Sequence, residues 1–387
     1  MSDLFDITIV MPCLNEADTL ATCIEKARVG LARAGVRGEI LVADNGSTDG
    51  SIQIAEKLGA RVVPVKEKGY GNALKGGIEA AQAKWILMGD ADDSYDFSEI
   101  EGFIKKLRAG NDLVMGCRLP GGGGQVLAGA MPFSHRWLGN PMFTLMARHM
   151  FSSPINDVYC GLRAFTKELY YRLDLRCQGM EFATEMIIKA SIRGVKIAEN
   201  PITLHPDGRK AHAPHLKTFR DGWRTLRFFL IFSPRWLFLY PGVLLAILGI
   251  VGYAVALPGL RIHGIAFDAH TLLFASLAIL LGYQSILFAI FAKTFAINEG
   301  LLPEDLAMKR FFDVMYLERG LVIGVVAFLA GIGLLVAAVA QWWSVRFGSL
   351  DYSHTMRWVI PGVTLTALGF QTILSSFFVS ILGMKRR

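Results

Sequence analysis

Three aspartates fall within four residues in Asp90-Ala91-Asp92-Asp93-Ser94, directly after the apolar run 85–88. Carboxylates that close repel each other, and a hard cation with oxygen ligands relieves the repulsion. Mg2+ binds through one or two carboxylates and completes its shell with substrate phosphates. Residue type and spacing therefore point to a divalent ion that holds a phosphorylated substrate. Three more polar segments follow apolar runs in the same manner: Pro12-Cys13-Leu14-Asn15-Glu16, Asp44-Asn45-Gly46-Ser47-Thr48-Asp49-Gly50 and Lys66-Glu67-Lys68-Gly69-Tyr70-Gly71-Asn72. Each has a plainer reading. Asp44 to Gly50 suits turn chemistry plus a helix N-cap, and Gly69-Tyr70-Gly71 suits a simple turn. The latter is not a dinucleotide fingerprint, because Leu74 stands where a third glycine would be.

The elements that must position these segments alternate. Strands are expected at 7–11, 39–43, 61–65, 85–88 and 112–115, and helices at 17–33, 50–58, 72–83 and 98–108. Alternation with near-continuous apolar strands predicts a parallel α/β sheet. Such sheets bind ligands outside the carboxyl ends of their strands. All four polar segments follow strands, so they converge on one crevice.

The rest of the chain has a different solvent. Its 387 residues are 52% hydrophobic and 19% charged, with a mean hydropathy of +0.39. A soluble domain is about 45–50% apolar and about 25% charged, so the excess calls for a membrane and excludes disordered, collagen-like and disulfide-scaffold classes. It lies beyond residue 236. Four runs, 236–257, 271–292, 320–343 and 358–383, can each cross about 30 Å of hydrocarbon. Basic residues flank them unevenly. Lys217, Arg220, Arg224, Arg227 and Arg235 precede the first run; Lys293, Lys309, Arg310 and Arg319 fill the middle connection; Lys385, Arg386 and Arg387 end the chain. The other connections hold only Arg261, and Arg346 with Arg357. The positive-inside rule puts both termini and the middle loop in the cytoplasm, in an inner-membrane protein. The net charge of +7 is thereby explained without nucleic acid. Five cysteines without a C-x-x-C pair read as free cytosolic thiols. The first twelve residues lack the basic region of a secretory signal.

One segment links the halves. Leu216, Phe219, Trp223, Leu226 and Leu230 recur at helical spacing, with Lys217, Arg220, Arg224 and Arg227 on other faces, which predicts an interfacial amphipathic helix over 213–235. His205, His212 and His215 fit interfacial polar residues better than a metal site. Within the membrane, residues 281–287 (LGYQSIL) repeat as 368–374 (LGFQTIL), and Gly242 and Gly249 match Gly324 and Gly331, so two hairpins of one design are expected. Gln284 and Gln371 suit interhelical hydrogen bonds or a polar lining.

Pro12…Asn15-Glu16, Asp44 to Gly50, Gly69-Tyr70-Gly71-Asn72-Ala73 and Asp90-Ala91-Asp92 together resemble the successive motifs of family 2 glycosyltransferases, and most closely the dolichol-phosphate mannose synthases and bacterial polyprenyl-phosphate hexosyltransferases. The resemblance covers roughly residues 5–220 and implies a GT-A (Rossmann-like) α/β domain over 1–212, the interfacial helix over 213–235 and four transmembrane helices over 236–387. It implies an inverting hexosyltransferase acting on a nucleotide sugar, of UDP-glucose or GDP-mannose type, and a polyprenyl phosphate such as dolichyl or undecaprenyl phosphate. Pro12, Leu14, Asn15 and Glu16 would meet the nucleoside. Asp44 and Asn45 would read base and ribose, with Asn45 replacing the more usual second Asp. Gly71 and Lys75 belong with the donor-binding positions. Asp90 and Asp92 would hold the diphosphate through Mg2+ or Mn2+, and Ser94 stands where the mannose synthases often carry a Gln near the metal. Arg118, Arg136 and Asp157 match acceptor-side positions, and Arg209 matches the basic residue of the loop that closes over the donor. A homo-oligomer is compatible with all of this.

A phosphate nucleophile is mostly ionised at neutral pH, since its second pKa is about 6. It needs cations that hold it in line more than it needs a base, and arginine matches phosphate bidentately. Arg118 and Arg136 suit that task. Asp157 is then a base or a group that orients Arg163 or Arg136. The glycine run 121–124 reads as a loop that orders on binding or as a surface linker, and Glu181 and Glu185 as sugar-hydroxyl ligands or a packed helix edge. Two rival functions are a processive polysaccharide synthase and a non-catalytic scaffold or lipid translocator. The Q-x-x-R-W motif of the first is missing at both Arg136-Trp137 and Arg235-Trp236, and the intact acids argue against the second.

Overall fold

Every residue from Ile7 to Met11 is buried, which marks a strand covered by helices on both faces. The structure, a computed structural model, describes residues 4–209, 218–262, 265–304, 306–314 and 316–384. It divides into two compact units, Met1–Phe229 and Leu230–Arg387.

The first unit alternates β1 (Ile7–Cys13), α1 (Leu20–Ala34), β2 (Gly38–Asp44), α2 (Ser51–Lys57), β3 (Arg61–Pro64), α3 (Tyr70–Ala80), β4 (Trp85–Met88), α4 (Glu101–Arg108) and β5 (Leu113–Cys117). It continues with β6 (Gln125–Val126), α5 (Asn140–Phe151), β7 (Arg163–Thr166), α6 (Lys167–Leu173), α7 (Glu181–Ile192), β8 (Ile197–Pro201), β9 (Thr203–Leu204) and α8 (Thr218–Ile231). Seven strands form one sheet in the order β3-β2-β1-β4-β7-β5-β8. The odd residues of β1 pack with α1, α2 and α4: Ile7, Ile9 and Met11 share a core with Leu20, Ile24, Ala55, Phe103 and Leu107. The opposite face receives α3, where Gly77 permits close approach to Val10, Leu41 and Ala43.

The expected all-parallel sheet is corrected by β7, which runs antiparallel to both β4 and β5. The reason is geometric. β5 ends at the carboxyl edge, and Arg163 at the start of β7 sits opposite Met88 and Met115 at that same edge. The chain between Cys117 and Arg163 thus returns to the edge it left, and the next strand must run backwards.

Among the described residues of the second unit, four helices are long and apolar enough to cross a membrane, Arg235–Ala256, Ala269–Asn298, Leu317–Ser344 and Tyr352–Gly383. They are α9 (Tyr240–Ala256, with a preceding π-helical turn Arg235–Leu239), α10 (Ala269–Asn298), α12 (Leu317–Ser344) and α13 (Tyr352–Gly383); α11 (Leu306–Val314) lies in the middle connection. The duplication extends to packing. A Cβ on Gly242 would lie 2.9 Å from the Gly282 carbonyl, and one on Gly324 would lie 3.0 Å from the Gly369 carbonyl. In each hairpin the same paired glycines let the backbones touch, the usual basis of helix association in lipid. Hydroxyls join the hairpins to each other. Tyr253 Oη lies 2.6 Å from Ser276 Oγ and 2.9 Å from Thr364 Oγ1, and Tyr283 Oη lies 2.6 Å from Thr372 Oγ1. The glutamines do not take that role as expected: Gln284 is exposed, and Gln371 Oε1 is buried without a hydrogen-bond partner among the described residues. Tyrosine and threonine reach a neighbouring helix without burying a second polar atom, whereas an amide must satisfy both ends.

Candidate active site

The crevice lies at the carboxyl edge of β1, β2 and β4. Pro12 is still within β1, opposite Ala43. Leu14 follows with its side chain 37% exposed, an apolar surface at the crevice mouth. Asn15 has a positive φ of 60°, a conformation asparagine tolerates better than most residues. Its N–H donates to Ser47 Oγ at 2.9 Å, and its Oδ1 accepts from Thr48 N–H at 2.9 Å. The first two loops are thereby stitched together.

Asp44 and Asn45 are both buried and locally committed. Asp44 accepts from the N–H groups of Gly46 at 2.9 Å and Ser47 at 3.1 Å, which builds the turn. Asn45 donates to the carbonyls of Val65 at 3.0 Å and Glu67 at 2.8 Å, and accepts from Gly69 N–H at 2.8 Å. An aspartate there would face two carbonyl oxygens with no donor to offer. The departure from the usual second Asp thus has a structural cause, and Asn45 spends its amide on joining loops.

Gly69 and Gly71 are required by a close crossing. A Cβ on Gly71 would lie 2.8 Å from the Cys177 carbonyl, and one on Gly69 would lie 2.5 Å from the Gln178 carbonyl. Glu185 holds that crossing segment by accepting from Arg176 N–H at 2.9 Å and Cys177 N–H at 2.8 Å, while it pairs with buried Lys189 at 2.8 Å. Glu185 is therefore a loop brace, and Glu181 pairs with Arg224 at 3.7 Å. Between the glycines stands Tyr70, which donates to Asp90 Oδ1 at 2.8 Å. Sequence reasoning passed over Tyr70; the signal was a lone aromatic between two glycines. Lys75 sits half-buried further along α3.

Asp92 Oδ1 accepts from Ser94 Oγ at 2.5 Å and from Ser94 N–H at 3.1 Å, so Ser94 fixes this carboxylate and has its hydroxyl engaged there. Asp92 Oδ2 pairs with Arg209 at 3.0 Å. Arg209 also pairs with Glu16 at 2.9 Å and Asp207 at 3.3 Å. One guanidinium thus carries the charge balance of three acids from three loops. Among the described residues no three His, Cys, Asp or Glu side chains form a ready-made metal cage. Two hard carboxylates two residues apart nevertheless fit a Mg2+ or Mn2+ ion that takes its other ligands from phosphates. The strained charge balance supports the fit. Burial and then the neighbouring Asp92 carboxylate push the Asp90 pKa up to about 6.

That shift has a sign. A carboxyl whose folded pKa is raised from 3.8 to about 6 binds its proton more tightly folded than unfolded. Its stabilising contribution is complete below about pH 4 and is lost as pH rises through about 6. Divalent ions bind the ionised form. Thermal unfolding with Mn2+ and a nucleoside diphosphate should therefore show a clear rise in Tm at about pH 7.5 and little at about pH 5. Equal shifts at both pH values would remove Asp90 from the ion's ligands.

Arg118 follows β5, two strands from the loop that carries Asp90, with β7 between. At about 4.8 Å per strand that is about 10 Å. Asp157 is fully buried and grips Arg118 through Oδ2 to Nε at 2.7 Å, Oδ1 to Nη2 at 2.8 Å and Oδ2 to the backbone N–H at 3.0 Å. The expected partners of Asp157 were Arg163 or Arg136, and the structure corrects both. Arg163 donates instead to the carbonyls of Cys160, Val158 and Ala183. Arg136 lies on an exposed π-helical turn, His135–Gly139, with its guanidinium 5.5 Å from the Trp137 ring. Burial alone would raise the Asp157 pKa, but the Arg118 guanidinium and its hydrogen bonds hold it below the usual carboxylate range. That favours an orienting group over a base. The glycine run is closely packed: a Cβ on Gly124 would collide with the backbone of Cys117 and Arg118. A free linker would show no such contact.

Phe133, Trp137, Leu138, Met142 and Leu145 form an exposed apolar segment that sequence reasoning did not single out. Further along, α8 packs Phe229 between Phe143 and Phe151 and leaves Trp223, Arg220, Arg224 and Arg227 exposed. Lys217, His212, His215 and the start of the expected interfacial helix lie outside the described residues; His205 donates its backbone N–H to Ser94 O at 3.0 Å.

Residues 8–173 match glycosyl transferase family 2, and residues 290–383 match the glycosyltransferase family 2 C-terminal transmembrane region. The low-salt glycan biosynthesis hexosyltransferase Agl6 of Haloferax volcanii is 35% identical over 97% of this chain and 89% of its own. A dolichyl-phosphate hexose transferase of the same organism is 30% identical over 56% of this chain and 89% of its own. A glucosyl-3-phosphoglycerate synthase structure from Mycobacterium tuberculosis aligns with a TM-score of 0.47 at 19% identity, covering 59% of this chain and 79% of that one. With a near full-length hexosyltransferase relative and family matches in both units, the chain belongs to glycosyltransferase family 2, as a membrane glycosyltransferase with a mixed α/β sheet in its first unit.

Proposed function

We propose that this enzyme transfers a hexose from a nucleoside diphosphate sugar, of UDP-glucose or GDP-mannose type, to the phosphate of a polyprenyl lipid, with inversion at the anomeric carbon. The observation that carries the reading is the pairing of two chemistries on one sheet edge. Two repelling carboxylates, Asp90 and Asp92, stand about two strand spacings, or about 10 Å, from an arginine held rigid by a buried carboxylate. That gap suits a hexose between a donor diphosphate and an acceptor phosphate.

Asp90 and Asp92 would hold Mg2+ or Mn2+, which when bound neutralises charge on the departing diphosphate. Tyr70 and Ser94 keep the two carboxylates oriented. Glu16 and Leu14 face the nucleoside, and Arg209, already poised on Glu16 and Asp92, meets the diphosphate. Two of the five Arg118 N–H groups go to Asp157, leaving three for phosphate oxygens. The acceptor oxygen is ionised and attacks without a base. Arg136, on its exposed turn, is a second cation for the same phosphate.

The exposed apolar side chains Phe133, Trp137, Leu138, Met142 and Leu145 support docking on a bilayer, with these side chains inserted and Arg136 at headgroup depth. The uneven basic flanks support an inner-membrane location, with the sheet unit and both termini in the cytoplasm. Membranes incubated with labelled nucleotide sugars and undecaprenyl or dolichyl phosphate should yield an extractable lipid-linked monosaccharide, and chelation of divalent ions should stop it. Polymer in place of that product, or donor hydrolysis alone, would overturn this reading.

A further inference from the structure

We propose that Glu199 is a positioning residue that sets the orientation of Arg118, an inference that rests on the acceptor role given to that arginine above. Glu199 lies on β8 opposite Met115 of β5, so its side chain stands beside the strand that ends just before Arg118. It accepts from Asn156 N–H at 2.5 Å, from Asn156 Nδ2 at 2.5 Å and from Asp157 N–H at 3.2 Å. The Asn156 Oδ1 in turn accepts from Arg148 Nη2, and Arg148 Nε donates to the Ile155 carbonyl at 2.7 Å. A carboxylate only accepts and a guanidinium only donates. The Asn156 amide between them therefore has one allowed orientation.

The consequence passes along the chain. Asp157, its backbone fixed by Glu199, turns both oxygens onto Arg118. Lys106 donates to the Glu199 carbonyl at 2.6 Å and to Asn200 Oδ1 at 3.1 Å, which ties this part of β8 to α4. The glycine run closes over the network. A Cβ on Gly121 would lie 3.4 Å from Asn156 Oδ1, and one on Gly122 would lie 3.4 Å from Glu199 Oε2. Those glycines leave room for the carboxylate and its amide partner. The Glu199 carboxylate reaches Arg118 through Asn156 and Asp157, and none of these contacts is made to Asp90, Asp92 or Arg209.

Glu199→Gln keeps the shape but sets an N–H2 group against one of the Asn156 donors. In the full-length protein in lipid nanodiscs, KM for undecaprenyl phosphate should rise about tenfold, the scale of one buried donor left without an acceptor. Donor KM and kcat should change little. Glu199→Asp keeps the charge and should recover part of the loss. In an Arg118→Lys background Glu199→Gln should add little, because the two act through one group. Phenylglyoxal labelling followed by mass spectrometry gives a readout free of turnover: Glu199→Gln should speed modification of Arg118 and leave Arg209 unchanged. Equal losses toward donor and acceptor, full additivity with Arg118→Lys, or an unchanged Arg118 labelling rate would each overturn the proposal. Absence of lipid-linked product from the wild type would sink the acceptor reading instead, and the labelling rates would still decide the role of Glu199.

Discussion

Asp90→Asn is expected to lower kcat/KM for the donor by about a thousandfold, the scale of losing a preorganised charge at a departing group. Asparagine keeps the volume and can still accept from Tyr70, which donates to Asp90 Oδ1 at 2.8 Å. Only the charge goes. The same substitution should raise the Tm of the metal-free protein at neutral pH, because it removes the buried charge and its repulsion by Asp92, which together push the Asp90 pKa to about 6. Gain of stability with loss of transfer is the mark of a site strained for function. Asp92→Ala should cost transfer at least as much, since it also deprives Arg209 of a partner 3.0 Å away. Undiminished divalent-dependent transfer by either variant, measured in membranes with labelled donor, would remove these acids from the diphosphate site.

Asp157→Ala carries the second large effect, and on stability first. Arg118 and Asp157 are both buried, and their side chains meet in a bidentate pair. Removing one partner of a buried pair leaves an uncompensated charge, which costs about 3–5 kcal/mol. Chemical denaturation should show a loss of that size, and transfer should fall with it. The double variant Arg118→Met with Asp157→Leu separates the two consequences. A buried apolar pair can replace a buried ion pair with little loss, so folding should recover while transfer stays absent. Recovered transfer in the double variant would show that Arg118 does not hold the acceptor.

The order of elements was legible because it rests on local rules. Continuous apolar runs predicted four strands ending close to Pro12, Asp44, Pro64 and Met88; β1 and β4 are buried on both faces and have almost no polar side to show, whereas β3, at the sheet edge, is only half-buried. The polar segments after them were legible as one site because parallel strands put their carboxyl ends together. The duplicated glycines at 242 and 324 were legible in the same way, as repeated letters with one packing use. The antiparallel β7 was not: four residues, Arg163 to Thr166, carry no mark of direction, and only the return of the chain to the sheet edge decides it.

Charge partners were the least legible part. Asp157 was expected to serve Arg163 or Arg136, yet it holds Arg118, because side-chain contact across 39 residues is set by where two loops land. Asn45 looked like half of an acidic pair, yet three backbone groups of the next loop claim its amide. Glu199 offered no motif at all, since its importance comes from the donors that surround it.

From composition and spacing alone one could know that this chain has an α/β unit with acids at its strand ends and four helices for a bilayer. Those traits follow from periodicity, length and solvent, which act residue by residue. Which acid faces which arginine, which asparagine is structural and which glycines are squeezed came from tertiary contacts. Those depend on distances between segments far apart in the chain, and no local pattern encodes them.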